Sequence, residues 1–304
     1  MTAKVILNPY AGRWLAGRMR QQMETALHAA GFDYELAVTE APLQATEIAS
    51  QAVQAGFQPI IAAGGDGTIG EVVNGIALAY KGSLENTPLP TPLGIMPLGS
   101  ANDFVDNLHL PRDLNAAAQV IAAGSTRLLD LCQVNDRYFI NNSAIGLEPF
   151  ITLIQQRIHR IKGTLRYLVA TLRGVAANPQ WEMQLNWEGG EYSGPVTLVT
   201  VGNNPRTGGL FYVTPHANPC DGQLTFVYGY IPTRLQILQV LPKLMKPGKG
   251  NYVEHPAIHE INSPWLRVKS NSPTPMHSDG EIQTEAIQEL SFRVLPRHIP
   301  VLLP

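Results

Sequence analysis

The sequence is poor in charge and in cysteine. Only 15% of its 304 residues are Asp, Glu, Lys or Arg, against about 25% in an average soluble domain. The formal net charge of −2 argues against a broad basic face, so we expect no nucleic acid partner. Cys132 and Cys220 are too few for a disulfide framework or a zinc cluster, and the cytoplasm is the expected compartment.

Long apolar runs are absent as well. The N-terminal stretch Met1–Pro9 contains too short an apolar run for a signal peptide. No window approaches the roughly 20 apolar residues of a membrane-spanning helix. If the protein acts on a lipid, we expect a peripheral and transient contact with the membrane surface. The oligomeric state is open, and a homodimer is one alternative.

The most informative stretch is residues 59–75, where a strand, a glycine turn and a helix follow one another. Pro59–Ala63 is typical of a short buried strand, and beyond the turn apolar residues recur at helical spacing. This order directs free backbone N–H groups and a helix N-terminus at an anion. Because Asp66 would repel a phosphate unless a cation lies between them, the turn predicts a metal–nucleotide site.

The same turn also matches the dinucleotide fingerprint. Gly65, Gly67 and Gly70 spell G-x-G-x-x-G. That fingerprint belongs to the first strand–helix turn of its unit and is followed by an acid about 20 residues later at a strand end. Here two strand–helix units come first, and the acid at that distance, Glu85, lies in a Pro-rich loop. We rank a phosphate cradle first, a structural turn second and an NAD site third.

Strands and helices alternate up to about residue 124. This pattern predicts an α/β fold with a doubly wound parallel sheet, which we assign to a nucleotide domain over residues 1–128. Ligands of such sheets lie beyond the carboxyl ends of the strands. Four polar or glycine-rich segments converge on that edge: Asn8–Gly12, Thr39, the glycine turn and Gly99–Asp103.

The pattern changes after Gly124. Irregular β segments separated by Gly and Pro predict an antiparallel β-sandwich, assigned to an acceptor domain over residues 129–295, and the apolar segment 296–304 is expected to pack back on the first domain. Residues 149–174 read as one long helix. Its basic stripe is interpreted as a solvated face, with an anionic membrane surface as the alternative: Arg157, His159, Arg160, Lys162, Arg166 and Arg173.

Several carboxylates could serve phosphoryl transfer, which needs a divalent cation and a group that takes the proton of the attacking hydroxyl. Asp130 lies in an apolar run, where a carboxylate is costly unless it is paired. Asp221-Gly222 and Asp279-Gly280-Glu281 are foremost turn signals. A turn can nevertheless offer oxygen ligands to a hard cation or a general base. His277 receives less weight.

Taken together, the motifs resemble the diacylglycerol kinase catalytic-domain family, which includes soluble bacterial lipid kinases and sphingosine and ceramide kinases, with NAD kinases as distant relatives. The resemblance covers nearly the whole chain, and Ser100 stands where the family usually has threonine. The motifs that carry it are Asn8-Pro9-x-x-Gly12, Gly64-Gly65-Asp66-Gly67-Thr68, Pro97-Leu98-Gly99-Ser100-x-Asn102-Asp103-Phe104, Asp221-Gly222 and Asp279-Gly280-Glu281.

The resemblance implies ATP in a cleft between the two domains, and it implies roles for particular residues. Glu281 would be the general base, with Asp279 as its partner or rival. Asp66, Asp103 and Asp130 would form an acidic network that orients the catalytic metal, and Asn218, Asp221 and Gln223 would hold a structural Mg²⁺. The expected ATP contacts are Asn8, Pro9, Gly12, Thr39, Gly64, Gly65, Asp66, Gly67, Thr68, Ile69, Gly70, Glu71, Ser100 and Asn102.

We therefore expect an ATP- and Mg²⁺-dependent kinase that phosphorylates a hydroxyl of a diacylglycerol-like lipid, with a role in phospholipid biosynthesis. A sphingoid-base or ceramide-type acceptor and a soluble acceptor, as in the NAD kinases, are the alternatives. A nucleotide sensor without catalysis ranks lower. The sequence carries no motif that identifies the acceptor.

Overall fold

The computed structural model describes residues 2–80, 87–158 and 164–304. Its first part contains a four-stranded parallel sheet in the order β2-β1-β3-β4. The strands are β1 (Ala3–Leu7), β2 (Tyr34–Val38), β3 (Ile60–Gly64) and β4 (Leu93–Pro97), and the helices are α1 (Ala11–Arg18), α2 (Arg20–Ala29), α3 (Gln44–Gln54), α4 (Asp66–Ala79), α5 (Asp103–Asn107) and α6 (Leu114–Ala123).

Helices cover both faces of this sheet because its strands are apolar on both sides. Successive side chains of a strand point to opposite faces. Ile6 accordingly packs in the cluster that contains residues of α3 and α4. Its neighbours Val5 and Leu7 pack in the cluster that contains residues of α2 and α6. The predicted doubly wound parallel sheet is confirmed, and its carboxyl edge collects the ends of β1, β3 and β4.

The second part is antiparallel and surrounds its own core. One path of paired strands runs β12-β11-β10-β7-β13-β14, with β5, β6, β8 and β9 attached at its side, so the predicted sandwich is confirmed. The elements are β5 (Thr126–Val134), β6 (Arg137–Phe139), β7 (Asn142–Gly146), α7 (Leu147–Gln156), α8 (Thr164–Ala177), β8 (Trp181–Trp187), β9 (Gly190–Val196), β10 (Leu198–Gly202), β11 (Leu224–Gly229), α9 (Arg234–Val240), β12 (Ile258–Ser263), β13 (Trp265–Ser278) and β14 (Glu281–Leu302).

The long strand β14 connects the two parts. Its first half pairs with β13, and its second half pairs with β5. Val301 then pairs with Leu93 of β4 in the parallel sense, while Ile299, Val301 and Leu303 are buried in the core of the first part. The end of the chain is therefore built into the first part of the molecule.

The single helix predicted over residues 149–174 is wrong. Helix α7 ends at Gln156, Arg157 and Ile158 lie outside a helix, and α8 begins at Thr164. The two helices pack against each other, and a Cβ at Gly174 would lie 2.6 Å from Cγ1 of Ile151. Chain reversal lets both helices bury apolar side chains in one cluster, which a single straight helix could not do.

Some sequence predictions fall outside the described residues. Glu85 lies there, and so do His159, Arg160 and Lys162 of the basic stripe. In the part of the chain that the structure describes, no helix combines the length and the apolar character needed to cross a bilayer.

Candidate active site

The glycine turn places the start of a helix at the carboxyl edge of the sheet. β3 ends at Gly64, Gly65 is extended, and α4 begins at Asp66. The first helical hydrogen bond runs from the Ile69 N–H to the Gly65 carbonyl over 3.0 Å. The N–H groups of Asp66, Gly67 and Thr68 precede that bond, as in an anion-binding helix N-terminus.

Close approaches between loops explain the glycines beside this turn. A Cβ on Gly99 would lie 2.4 Å from the Gly65 Cα, and one on Gly12, whose φ is +61°, would lie 2.8 Å from the Leu98 carbonyl oxygen. A Cβ on Gly64 would lie 2.4 Å from Oγ1 of Thr68. These glycines let the ends of β1, β3 and β4 meet without side chains between them.

Polar side chains brace the same edge from within. Nδ2 of Asn8 donates to Oγ1 of the buried Thr68 over 3.1 Å. Oδ1 of Asn102, also buried, accepts from the Gly99 N–H over 3.0 Å.

The remaining predicted residues of this edge belong to the loops themselves. The Pro9 carbonyl accepts from the Gly17 N–H, and the N–H of the buried Thr39 donates to the Leu7 carbonyl. Ser100 is exposed at the end of β4, where its hydroxyl is free to meet a ligand.

Two predicted ATP contacts have partners within the protein. Ile69 is fully buried in the core, and its N–H is used inside the helix. The carboxylate of Glu71 accepts from the N–H groups of Leu43 and Ala45, each over 3.1 Å, so it caps α3. Desolvation by burial raises the pKa of Glu71. Both residues support the turn, and their contact with a nucleotide stays a prediction.

The turn between β13 and β14 carries the second domain's acids. Asp279 and Gly280 have φ values of +47° and +81°, which the Asp-Gly sequence of a two-residue hairpin turn accommodates. The Asp279 carboxylate accepts from three consecutive N–H groups, those of Ile140 at 3.1 Å, Asn141 at 2.8 Å and Asn142 at 3.2 Å. This carboxylate is therefore fixed in place.

Both acids of this turn reach α4. A Cβ on Gly70 would lie 2.9 Å from Oδ2 of Asp279, and one on Gly67 would lie 2.9 Å from Oε1 of Glu281. The Glu281 side chain is exposed to the cleft. Its pKa is raised, first by desolvation and then by the charge of Glu71. Of the two acids, Glu281 is the one whose carboxylate is not fixed by backbone N–H groups.

Burial sets the protonation of Asp279. Desolvation raises its pKa to about 6, against the lowering effect of the three N–H donors, and Asp66 adds a further rise. The residue is buried at 7% exposure. With a pKa of about 6, this carboxyl group beside the cleft can change its charge near neutral pH, as groups at functional sites often do.

Asp66 and Asp103 form an adjacent pair on the first domain. Asp66 accepts from the N–H groups of Asp103 and Phe104 and from Nδ2 of Asn141 over 3.1, 2.9 and 3.1 Å. Asp103 accepts from Nε of Arg206 and from the Gly209 N–H, each over 2.9 Å. Its pKa is raised by desolvation and then by Asp66.

Among the described residues, no direct hydrogen bond joins Asp130 to Asp66 or Asp103, and its place in the acidic network stays a prediction. Its buried carboxylate accepts from the N–H groups of Gly222 and Arg297, each over 2.7 Å. Desolvation raises its pKa. Asp130 therefore holds the turn at Asp221 against the end of β14, and the apolar run around it reflects core packing.

The three predicted ligands of a structural Mg²⁺ share one turn. Oδ1 of Asn218 accepts from the Cys220 N–H, and Oδ1 of Asp221 accepts from the Gln223 N–H. These bonds shape the turn from its own side chains. Within residues 2–80, 87–158 and 164–304, no three His, Cys, Asp or Glu residues are grouped to hold a metal. The Mg²⁺ site at this turn stays a prediction.

The structure adds a histidine–glutamate pair that the sequence analysis underweighted. Nε2 of His277 lies 3.1 Å from Oε1 of Glu148, and Oε2 of Glu148 accepts from Oγ1 of Thr200 over 3.2 Å. Nδ1 of His277 is buried and has no partner among the described residues. Both side chains border the cleft. The pairing joins residues 129 positions apart, so no local pattern signals it.

Arg206 and Asn141 were also missed. Arg206 bonds to Asp103 and to Asp106, and Asn141 bonds to Asp66, so each carries a donor from the second domain to an acid of the first. A polar run, Asn203-Asn204-Pro205-Arg206, directly after β10 was the available signal. Polar residues that follow a strand therefore contribute to this cleft from the second domain as well as from the first.

Asn141, Glu148 and His277 border one cavity of about 530 Å³. Its walls come from both domains, and a cleft of this size accommodates a ligand as large as a nucleotide. The predicted residues that line it are Asp66, Gly67, Asp103, Asp279 and Glu281.

The titration of Asp279 should appear in the pH dependence of folding. Since the folded pKa of about 6 exceeds the ordinary 3.8, the folded protein binds this proton more tightly than the unfolded chain. The resulting stability, roughly 3 kcal/mol for a shift of about two units, is present below pH 3.8 and is lost as the pH rises through 6. Asp279→Asn should abolish this loss.

Urea unfolding between pH 3.5 and 7.5 measures the effect as the difference between the wild type and Asp279→Asn, so that the other buried acids cancel. Asp136→Asn, in an exposed turn, is the control and should leave the profile unchanged. A difference between wild type and Asp279→Asn that does not vary with pH would contradict the assignment.

Two family models match the chain and together span nearly all of it. The diacylglycerol kinase catalytic domain matches residues 2–134. The YegS C-terminal NAD kinase beta sandwich-like domain matches residues 142–303, just over half of the chain. The division between the two matches falls around the tight turn that joins β5 to β6.

Curated relatives match over the full length. A diacylglycerol kinase of Staphylococcus carnosus (strain TM300) is 27% identical over 303 residues, which cover 99% of this chain and 95% of that protein. A diacylglycerol kinase of Staphylococcus haemolyticus (strain JCSC1435) is 29% identical, with 99% and 88% covered.

Solved structures share the fold. A diacylglycerol kinase crystal structure from Bacillus anthracis str. Sterne has a TM-score of 0.77 at 22% identity and covers 100% of this chain and 97% of that chain. Yeast NADH kinase in complex with NADH has a TM-score of 0.50 at 12% identity, with 100% and 84% covered. The two family matches show that residues 2–134 form a diacylglycerol kinase catalytic domain and that the chain belongs, through residues 142–303, to the family with the YegS C-terminal NAD kinase beta sandwich-like domain.

Proposed function

We propose that this protein is an ATP- and Mg²⁺-dependent lipid kinase that phosphorylates a hydroxyl of a diacylglycerol-like lipid. The observation that carries the proposal is a polar cleft that opens into an apolar recess. Glu148, Thr207 and Phe211 border both. A lipid acceptor needs this combination, since its hydroxyl must reach the phosphate while its chains stay out of water.

The recess is built from the helices that cover the second domain. Leu147 and Ile151 of α7 lie on one wall, and Leu241 and Leu244 of the 3₁₀ helix Leu241–Met245 lie on another. Leu198, Val213 and the buried Tyr252 add to a mostly apolar lining, whose polar members are Glu148, Thr200 and Thr207. Apolar surface of this kind favours the apolar part of a lipid over a sugar or a nucleotide, and the cavity volume of about 70 Å³ holds the part of a chain that lies next to the hydroxyl.

The nucleotide side of the cleft follows from the helix N-terminus. N–H groups at the start of α4 would bind phosphate oxygens, with the backbone around Gly65 and the Ser100 hydroxyl beside them. Gly65 and Gly67 carry no side chain of their own at this turn, which would allow a phosphate to approach the backbone.

The cleft residues fit a Mg²⁺ ion that arrives with the triphosphate. Mg²⁺ usually keeps waters and phosphates and takes one or two carboxylates from the protein. Asp66 borders the cleft and is the residue that would hold it, which leaves the carboxylate of Glu281 free to act as a base. When bound, the ion neutralises negative charge on the phosphates.

Glu281 is our choice of general base. Its carboxylate faces the cleft, its pKa is raised, and it lies within contact of the first turn of α4. Asp279 is bound by three N–H groups and acts as a positioning residue that holds the turn. Glu281 would take the proton of the acceptor hydroxyl as that oxygen attacks the terminal phosphate.

Transfer of labelled phosphate tests the proposal directly. Purified protein with γ-labelled ATP and Mg²⁺ should phosphorylate diacylglycerol presented in vesicles, in preference to a long-chain base, a ceramide or NAD. Turnover of NAD without vesicles would favour the soluble-acceptor alternative. ATP binding without transfer to any member of the panel would overturn the kinase assignment and leave a nucleotide sensor.

Glu281→Gln should separate chemistry from binding. Loss of a proton-transfer group lowers turnover by about 10²–10⁴-fold, and the affinity for ATP should stay close to that of the wild type. Glu285→Gln is the control, since Glu285 lies on the same strand, is exposed and bonds to Arg157 outside the cleft. If Asp279→Asn abolishes turnover in the folded protein while Glu281→Gln does not, the two roles are reversed.

Leu244→Trp should narrow the recess without touching the nucleotide side. We expect the KM for a long-chain diacylglycerol to rise about tenfold, with the KM for ATP unchanged. Leu78→Trp, at an exposed position of α4, is the control. An equal effect on both KM values, or none on the acceptor, would argue that acyl chains bind elsewhere.

A further inference from the structure

Helix α9 presents apolar side chains to solvent. Leu235 is 66% exposed and Leu238 is 40% exposed, while Ile237 and Val240 of the same helix are buried. Residues three apart lie on the same side of a helix. The two exposed leucines therefore form a stripe opposite the buried pair, and Met245, 47% exposed, follows in the adjoining 3₁₀ helix.

Positive charge accompanies this stripe. Residues 231–250 contain four cations, Arg234, Lys243, Lys246 and Lys249, and no Asp or Glu, although the whole chain has a net charge of −2. All four are exposed. Within the described residues, none of them forms an ion pair with a carboxylate. Their charge is thus available to an external anion.

Helix α8 extends the same character. It packs against α9, and Leu168 and Leu172 are exposed one turn apart, followed by the exposed Arg173. On their inner sides both helices bury apolar residues in one cluster with α7. The outward leucines are therefore additional to the core and are not needed to fold it.

The apolar recess lies directly inside this layer. Leu241 and Leu244 line the recess, while Leu238, Lys243 and Met245 of the same short segment are exposed. One segment of about ten residues therefore has an inner side that faces the acceptor recess and an outer side that is apolar and cationic.

We propose that the docking face, defined as Leu235, Leu238, Met245, Lys243, Lys246 and Lys249, binds the surface of an anionic lipid bilayer and brings the recess to the membrane. The inference rests on the proposed lipid kinase function and adds the surface by which the enzyme reaches its acceptor. Apolar side chains enter the headgroup boundary while cations meet anionic headgroups, as in interfacial amphipathic helices.

The charges select this occupant over a second copy of the chain. A symmetric dimer places the same patch on both sides of its interface, so the cations of one docking face would meet those of the other. The lysines would repel each other across the leucines. An anionic bilayer offers an apolar boundary to the leucines and negatively charged headgroups to the lysines.

Co-sedimentation with vesicles tests the docking face. The wild type should bind phosphatidylglycerol vesicles and show little binding to phosphatidylcholine vesicles. Leu235→Gln with Leu238→Gln, and separately Lys243→Gln with Lys246→Gln, should each lower the partition into phosphatidylglycerol vesicles roughly tenfold or more. Since all four positions are exposed, each variant should keep the wild-type melting temperature.

Matched controls come from the rest of the surface. Leu43 and Leu78 are 55% and 42% exposed, so Leu43→Gln with Leu78→Gln matches the leucine variant. Arg267→Gln with Lys269→Gln, on β13, matches the lysine variant, and both controls should bind as the wild type does. Equal binding of wild type and docking-face variants would overturn the proposal. So would a wild-type dimer that Leu235→Gln with Leu238→Gln converts to monomer.

A short-chain diacylglycerol dissolved below its micelle concentration separates this inference from the kinase assignment. The docking-face variants should phosphorylate it at the wild-type rate and lose activity only on vesicles. If they lose activity on the dissolved acceptor to the same extent, the face acts in the reaction itself and the docking proposal fails. If the wild type binds vesicles but transfers phosphate to no lipid, the kinase assignment fails and the docking face stands.

Discussion

The fixed turn between β13 and β14 is the contact on which the site depends, because it carries carboxylates of one domain to a helix N-terminus of the other. Three N–H groups of residues 140–142 hold Asp279 there. Gly67 and Gly70 leave room for the turn, since a Cβ at either would lie 2.9 Å from a carboxylate oxygen. The lack of side chains at Gly67 and Gly70 of α4 thus sets how closely the domains approach and where Glu281 lies against the start of that helix.

The two domains also complete each other electrostatically. Burying a carboxylate is costly unless donors replace the lost water. Asp103 finds those donors in Arg206 and Gly209, and Asp66 finds one in Asn141, all on the second domain. Without that domain the first would carry charged groups that lack these partners. The cleft between them is therefore as much a consequence of paired charges as of shape.

Sequence patterns predicted those parts of the site that are formed by residues close together in the chain. The glycine turn and the Asp-Gly-Glu hairpin were found because backbone geometry demands glycine at particular places. The hydrogen bonds of Asp130 to Arg297 and of Glu71 to Leu43 were not predicted, because these partners are distant in sequence. The same reason hid the pairing of His277 with Glu148 and the reversal between α7 and α8. Sequence spacing predicts which side chains could share a site, whereas tertiary hydrogen bonds decide which of those side chains remain free to bind a ligand.

The net charge of the chain does not show where its charged residues lie. A net charge of −2 argues against a broad basic face, yet residues 231–250 carry four cations and no acid. Salt screens exposed charges beyond about 8 Å at physiological ionic strength, so a partner responds to the patch it touches and not to the total. Five of the 24 acids border the cleft, whereas residues 231–250 carry cations alone. A net charge of −2 is therefore compatible with a local cationic patch, and the patch is what an anionic surface would meet.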